Sequence, residues 1–285
     1  MDVLGAIATV FERGSFEVYL VGGSVRDRLL GRPSKDLDLT TPARPDDIKR
    51  LLRQAKPDSV YEVGARFGTI GAVFGDLNVE VTTYRAEWYP EESSRHPEVE
   101  FGNSLQDDLA RRDFTINAIA QDIGTGKITD PHGGTADIAK RTIRAVGNPA
   151  DRFAEDPLRM LRGVRLATQL GFEIDPKTAA AIKDGATRLQ FISAERIRDE
   201  LIHVLVSDGP GAGIVRMFEL GLIRFIIPEL ADLASTQQDD GHQHKDVLAH
   251  TLRVLAGVPA DPQVRLAALL HDIGKPATMT AKGGR

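Results

Sequence analysis

The sequence predicts an α+β protein, with a head built on a small mixed β-sheet and helices, followed by an all-α neck and body. Three observations carry this reading. Strand-like runs are confined to the first 130 or so residues, where Gly, Pro and Asp clusters separate them. After Gly147-Asn148-Pro149 the apolar positions recur at helical spacing. Near the start, Leu20-Val21-Gly22-Gly23-Ser24-Val25-Arg26-Asp27 and Lys35-Asp36-Leu37-Asp38-Leu39 read as a strand, a Gly-Gly turn opening a helix, and a second strand. The expected divisions are residues 1–146 for the head, 147–210 for a helical neck and 211–285 for the helical body.

In order, residues 2–13 carry Val3, Ile7, Val10 and Phe11 at helical spacing. Glu17 to Val21 is the first strand, Val25 to Leu30 a short helix stopped by Gly31, and Asp36 to Thr40 the second strand. Pro45-Asp46-Asp47 opens a helix, because Pro fits its first turn and early acids meet the positive end of its dipole. Strands are expected over Ser59–Val63, Thr69–Phe74 and Leu77–Thr83, with Gly75-Asp76 as the hairpin turn between the last two. Residues 84–104, with two prolines and mixed charges, read as a long mobile loop. Lys127 to Asp130 reads as a short strand, and Pro131, Gly133 and Gly134 as the turn out of the head. Asp156-Pro157 opens a helix that Gly171 stops; Ser193 to Leu205 and Gly211 to Leu220 are further helices.

The chemistry is concentrated in the opening stretch. Glycines let a ligand approach the backbone, and the N–H groups of a turn at a helix start suit phosphate. Side chains alternate along a strand, so Asp36 and Asp38 share one face while Leu37 and Leu39 take the other. Two carboxylates beside a phosphate turn suit a divalent metal and point to phosphoryl or nucleotidyl transfer. Glu80, opposite in facing to Val79 and Val81, is the candidate third carboxylate. Arg111 and Arg112 offer permanently charged donors for phosphate or ribose oxygens, and Asp113 an acceptor.

Composition sets limits. The 285 residues include no cysteine, so disulfides and thiolate metal sites are excluded, and 41% hydrophobic content suffices for real cores. Lys plus Arg number 36 against 41 Asp plus Glu, a net charge of −5. That balance is not the footprint of a nucleic-acid binder. A local basic surface is enough for phosphate, however, and Arg152, Arg159, Arg162, Arg165, Arg188, Arg196 and Arg198 crowd the middle of the chain. No secretory signal or membrane span is expected, and a cytoplasmic location is.

The segment from Leu20 to Thr41 resembles the class II tRNA nucleotidyltransferase and bacterial poly(A) polymerase family. Arg111-Arg112-Asp113-Phe114-Thr115-Ile116-Asn117-Ala118, Glu155-Asp156-Pro157-Leu158-Arg159 and Ser193-Ala194-Glu195-Arg196-Ile197 match further motifs of that family in its order. The resemblance implies template-independent addition of CMP and AMP to the tRNA 3′ end, from CTP and ATP, with two Mg²⁺ held by Asp36 and Asp38. It implies that Gly22, Gly23, Ser24 and Arg26 cradle the triphosphate and that Arg111, Arg112 and Asp113 contact the ribose. Asp156 and Arg159 would read the base edge, within a polar stripe continued by Arg162 and Arg165. Glu195 and Arg196 would stabilise the neck, and the loop at 84–104 would reposition the site between nucleotides. His132 stands where family members usually carry an apolar residue, and is not read as a ligand.

A poly(A) polymerase or a CC-adding or A-adding sister enzyme shares these motifs. Gly64-Ala65-Arg66-Phe67-Gly68-Thr69 follows the CCA-type pattern. Near the end of the sequence, His250 and His271-Asp272 resemble the start of an HD phosphohydrolase site, a metal-binding arrangement that needs one more Asp further on. The resemblance implies a helical body continuing past Arg285.

Overall fold

The computed structural model describes residues 2–32, 34–62, 68–88, 98–102, 104–234, 237–239 and 244–278. Val63, residues 64–67 of the CCA-type motif and residues 89–97 and 103 of the expected loop lie outside these. The chain divides into two compact units, residues 1–140 with 144–148, and residues 141–143 with 149–285.

The first unit opens with α1 (Val3–Arg13), capped by Asp2, whose side chain accepts from the Gly5 N–H at 3.1 Å. Then come β1 (Tyr19–Val21), α2 (Gly23–Leu29), β2 (Asp36–Thr41), α3 (Pro45–Gln54), β3 (Ser59–Glu62), β4 (Thr69–Phe74) and β5 (Leu77–Thr83). A two-stranded antiparallel sheet follows, β6 (Arg85–Trp88) with β7 (Glu98–Phe101), and then α4 (Leu105–Ala110), β8 (Ala120–Asp122), β9 (Ile128–Thr129) and α5 (Gly134–Ala139). Seven strands form the main sheet in the order β3-β4-β5-β2-β1-β8-β9. Only the β2–β5 pair in it is parallel, the other five being antiparallel, so the sheet is mixed as expected.

One face of this sheet is apolar and covered. Leu39, Ile70, Ala72, Phe74, Val79 and Val81 are buried, as are Ile48, Leu51 and Leu52 of α3. Period-two alternation in β2 and β5 turns the intervening polar residues to the other face.

The segment at 84–104 is corrected. Its described ends pair as strands, Arg85 with Phe101 through Trp88 with Glu98. The sequence alternates there, Arg-Ala-Glu-Trp against Glu-Val-Glu-Phe, a period-two pattern that the neighbouring prolines and charges obscured. Strand β8 was also unanticipated, since Ala-Gln-Asp offers too few residues to show a period.

The second unit comprises β10 (Thr142–Ile143), α6 (Pro149–Glu155), α7 (Leu158–Leu170), β11 (Glu173–Ile174), α8 (Pro176–Gly185), α9 (Ala194–Leu205), α10 (Pro210–Glu219), α11 (Pro228–Ala234), β12 (Gln237–Asp239), β13 (His244–Asp246), α12 (Val247–Gly257), α13 (Pro262–Leu270) and α14 (Lys275–Thr278). It is helical apart from two short pairings, β10 with β11 and β12 with β13. The expected helical neck and body are found, with these few residues of strand beside the helices. Helix α7 ends at Gly171, whose φ of +66° is the left-handed conformation that glycine adopts freely. Its start falls one residue later than expected; the Asp156 side chain caps it by accepting from the Leu158 N–H at 3.1 Å. Helix α10 lies close to its neighbours: a Cβ at Gly213 would come within 2.9 Å of Thr168 Oγ1 in α7 and would overlap Val204 in α9. No helix among the described residues is long and apolar enough to cross a membrane.

Candidate active site

The parallel register of β2 and β5 sets Asp36 opposite Asn78 and Asp38 opposite Glu80. Paired residues share a face, so three carboxylates gather on the side of the sheet away from its apolar core. Asn78 Nδ2 donates to Asp36 Oδ1 at 3.0 Å and orients that carboxylate. Burial pushes the Glu80 carboxyl above its usual range, and Asp38 and then Asp36 push it further. For Asp38, burial again is the largest influence upward; Arg112 opposes it, Asp36 adds repulsion and Arg26 opposes, leaving the carboxyl raised.

The turn beside these acids is shaped by glycine. Gly22 has φ +66° and ψ −139°, and a Cβ there would lie 3.1 Å from an Arg112 Nη and 3.7 Å from Asp38 Oδ2. The missing side chain thus leaves room for the Arg112 guanidinium over the turn, next to Asp38. A Cβ at Gly23 would meet the Arg26 guanidinium at 3.3 Å. Ser24 ties turn to strand: its hydroxyl accepts from the Asp38 N–H at 2.9 Å and donates to the Asp36 carbonyl at 3.2 Å. That hydroxyl is therefore spent on holding the two acids' backbone.

Each arginine has a carboxylate or amide behind it. Arg26 forms a two-point pair with Asp27, at 2.8 and 2.9 Å, and donates to Asn117 Oδ1 at 2.8 Å. Arg111 and Arg112 both converge on Asp108, at 2.8 and 3.0 Å, and Asp108 is wholly buried. Burial alone would raise the Asp108 carboxyl, but the charges and hydrogen bonds of the two arginines outweigh it and hold it below its usual range. Asp113 is buried, its Oδ1 accepting from the Phe114 N–H at 2.8 Å and from Asn117 Nδ2 at 3.3 Å. It therefore shapes the turn that carries Asn117. Thr115 donates to Asp137, and a Cβ at Gly134 would overlap the Thr115 carbonyl, so α5 is held close against the same turn.

Asp108 and Asn78 were not singled out from the sequence, although both carry a readable signal. Asp108 precedes Arg111 and Arg112 by three and four residues, the helical contact spacing, and Asn78 precedes Glu80 by two on one strand face.

In the second unit, Asp156 Oδ2 accepts from Arg196 at 2.8 Å, which joins the two expected motifs directly. Arg159 is buried, donating to Glu155 Oε2 at 2.6 Å and to the Arg152 carbonyl at 3.2 Å. Arg165 pairs with buried Glu200 at 2.8 Å, and Arg162 is half-buried. The polar stripe is thus largely an ion-paired seam. Elsewhere in this unit His250, His271 and Asp272 converge, each offering a ligand atom within 4.8 Å of the others. Asp272 lies 3.1 Å from His271, 3.8 Å from His250 and 2.7 Å from Lys275. Burial works to raise its carboxyl, but Lys275 and the two histidines hold it below its usual range.

The donor set of Asp36, Asp38 and Glu80 fits a divalent cation: three hard oxygens whose mutual repulsion a cation relieves. Without one, ionisation of Asp38 and Glu80, whose carboxyls are raised, works against folding. A carboxyl whose folded-state pKa lies above its unfolded value favours the fold while protonated, and that contribution is lost as pH rises through the folded value. Asp38→Asn is therefore expected to melt above the parent chain at pH 7 in metal-free buffer, with the difference shrinking as pH falls into the carboxylate range. Thermal denaturation at both pH values checks this; a parent chain as stable as the variant at pH 7 would contradict it.

Residues 18–144 match the family described as "Poly A polymerase head domain", and residues 171–233 that described as "Probable RNA and SrmB- binding site of polymerase A". A CCA-adding enzyme of Enterococcus faecalis is 46% identical over 204 residues, which cover 72% of this chain and 49% of that protein. The chain thus spans about half the length of this relative. The crystal structure of the Bacillus stearothermophilus CCA-adding enzyme in complex with CTP superposes with a TM-score of 0.76 at 34% identity, covering 95% of this chain and 62% of that one. A tRNA nucleotidyltransferase complexed with a primer tRNA and an incoming ATP analogue gives 0.67 at 25% identity, over 88% and 74%. With matches to both segments in order and a shared fold across nearly its whole length, the chain belongs to the class II tRNA nucleotidyltransferase and poly(A) polymerase family.

Proposed function

We propose that this chain carries the catalytic machinery for template-independent addition of CMP and then AMP to the 3′ end of tRNA, with release of pyrophosphate. The observation that carries the reading is the in-register set Asp36, Asp38 and Glu80 facing a Gly22 turn overlain by Arg112. We take residues 1–146 as the catalytic head, 147–210 as the neck and 211–285 as the body, working in the cytoplasm. CTP and ATP are the substrates and tRNA the acceptor; no membrane is involved.

Mg²⁺, bound at Asp36 and Asp38 with Glu80 beside them, would polarise the phosphoryl oxygens and lower the pKa of the attacking 3′-hydroxyl. The chain's own groups hold the rest in place. Arg112, braced by Asp108, donates charge-assisted hydrogen bonds to the triphosphate over Gly22 and Gly23. Arg111 stands on the same buried Asp108. Arg26, fixed by Asp27 and Asn117, presents its positive charge to the turn from the other side, and Ser24 and Asn78 keep the two acids in alignment. Asp113, with Asn117, sets the geometry on which Arg26 and ribose contact depend.

Asp156 and Arg159, with Arg162 and Arg165 along the same helix, are the proposed base readers. Asp accepts from an exocyclic amine, which cytosine at C4 and adenine at C6 both present where uracil and guanine carry a carbonyl oxygen. Arg196, donating to Asp156 Oδ2 at 2.8 Å, orients the carboxylate for that acceptance.

The test supplies tRNA lacking its terminal CCA with each labelled nucleotide singly and then CTP with ATP, and resolves products by length. Two C and one A followed by a stop are expected. Running on with A would select a poly(A) polymerase, and stopping at CC, or adding only A to a CC end, a sister enzyme. Asp38→Asn is expected to lose incorporation by at least about a hundredfold while keeping CTP binding. For Asp156→Ala the expected loss is in selectivity against UTP and GTP, at about tenfold or more, with folding retained.

A second reading of the second unit rests on the convergence of His250, His271 and Asp272. Two imidazoles and a carboxylate suit a transition metal, as in the HD phosphohydrolase site that the motif resembles. Titration calorimetry with Mn²⁺ or Zn²⁺ is expected to detect a site that His271→Ala removes while nucleotide incorporation continues. Heats unchanged by that substitution would refute it.

A further inference from the structure

The row of residues that runs across the sheet through Asp38 does not end at the carboxylates. Asp38 pairs with Glu80, Glu80 with Gly71 on β4, and Gly71 with Tyr61 on β3, the strand at the sheet's edge. All four stand on one face, since cross-strand partners point the same way. Tyr61 is 39% exposed, one of few large apolar side chains so open among the described residues.

Its ring does not stand out from the edge. The position a Cβ would occupy on Gly71 lies 2.5 Å from Tyr61 Cζ and 2.6 and 3.0 Å from the two Cε atoms, so the ring leans over β4 toward Glu80 and covers the glycine backbone. Any other residue at 71 would push it away. On its own strand, Glu62 turns to the opposite face and pairs with Lys49 of α3 at 2.7 Å, so the two faces of β3 have separate tasks. With strands about 4.8 Å apart, the Cα atoms of Tyr61 and Asp38 are about 14 Å apart, and the lean of the ring shortens the gap.

We propose that Tyr61, seated on Gly71, is a stacking platform for an unpaired base of the RNA strand whose 3′ end reacts at Asp36 and Asp38. This deepens the proposed function and rests on it. A strand whose terminal hydroxyl lies at the carboxylates must leave the site across some part of the surface. The platform lies on the same face and in the same row, within the reach of the last few nucleotides. An aromatic ring offers every base a flat partner without reading its identity, which suits a 3′ end whose terminal base changes at each addition. The rigid seat matters as much as the ring, because a platform already in place loses little side-chain entropy on binding.

The experiment uses a labelled acceptor-stem minihelix ending in an unpaired 3′ overhang, and the same RNA with abasic residues in that overhang. Binding by fluorescence anisotropy and steady-state incorporation from CTP are measured for the parent chain, Tyr61→Phe, Tyr61→Leu and Gly71→Ala. Tyr61→Leu, at an edge position, should keep the fold, and a melting curve verifies it. We expect Tyr61→Leu and Gly71→Ala to weaken RNA binding and raise its KM about tenfold, with kcat and the KM for CTP within about twofold of the parent. Tyr61→Phe should match the parent, and on abasic RNA the variants should no longer differ from it. Unchanged RNA affinity in Tyr61→Leu, an equal loss on abasic RNA, or a rise confined to the KM for CTP would each overturn the platform while leaving the enzyme reading intact. A parent chain that neither binds nor extends the minihelix would overturn the enzyme reading itself, and the platform with it.

Discussion

Everything at the site depends on one register, the parallel pairing of β2 with β5. It sets Asp38 beside Glu80 and Asp36 beside Asn78, on a face that the apolar residues between them leave free by burying the opposite side. A slip of β2 by one residue would turn Asp36 and Asp38 into the core and Leu37 and Leu39 outward, so the hydrophobic pattern that stabilises the sheet also fixes the acids' positions. Fold and site are specified by the same alternation. Burial raises the Asp38 and Glu80 carboxyls, and repulsion from the neighbouring acids adds to it.

The positive side of the site is organised on a different principle. Arg111 and Arg112 are not left to solvent but converge on Asp108, a carboxylate with no exposed surface. Removing one partner of such a buried cluster costs about 3–5 kcal/mol, because the remaining charges stay desolvated and unmatched. The pairing therefore fixes the guanidinium groups before any substrate arrives. Electrostatic stabilisation of a transition state is effective when its dipoles and charges need no reorganisation, and a buried counter-ion is a direct way to secure that. The same device recurs around Arg26, held between Asp27 and Asn117, and in the second unit, where Glu155 and Glu200 hold Arg159 and Arg165.

How much of this could be read from the sequence follows from which signals are local. Strands β4 and β5 fall on their expected bounds because alternation over six or seven residues and the Gly75-Asp76 turn leave little freedom. Helices α1 and α7 are legible through apolar spacing and the Gly171 stop. By contrast, β8 is a three-residue strand held by pairing with β1 and β9, so its evidence lies in residues distant in sequence. Prolines around 90–97 concealed the alternation of β6 and β7. At the site, Asp36, Asp38 and Glu80 were readable because each sits in an alternating strand. The partners of Arg26, Arg111 and Arg112 were less so, since a motif read for what it offers a substrate does not reveal what holds it. Asp113 is the sharpest case: as a free acceptor it looked suited to a ribose hydroxyl, yet its Oδ1 is engaged by Phe114 and Asn117.

The contrast between the two units also bears on how specificity and catalysis can be separated. The proposed catalytic groups sit on strands of one sheet, where neighbouring positions are set by hydrogen-bonded register and tolerate little movement. Asp156 instead precedes a helix, with one oxygen accepting from the Leu158 N–H and the other paired with Arg196, whose side chain is about half exposed. Solvent reaches the pair from the Arg196 side and weakens it, so the Asp156 carboxylate can exchange Arg196 for another donor. The proposed role of Asp156, accepting two different bases in turn, needs that latitude, whereas the proposed metal-binding role of Asp36 and Asp38 needs its absence. The division of rigid and exchangeable partners follows the division of chemical tasks.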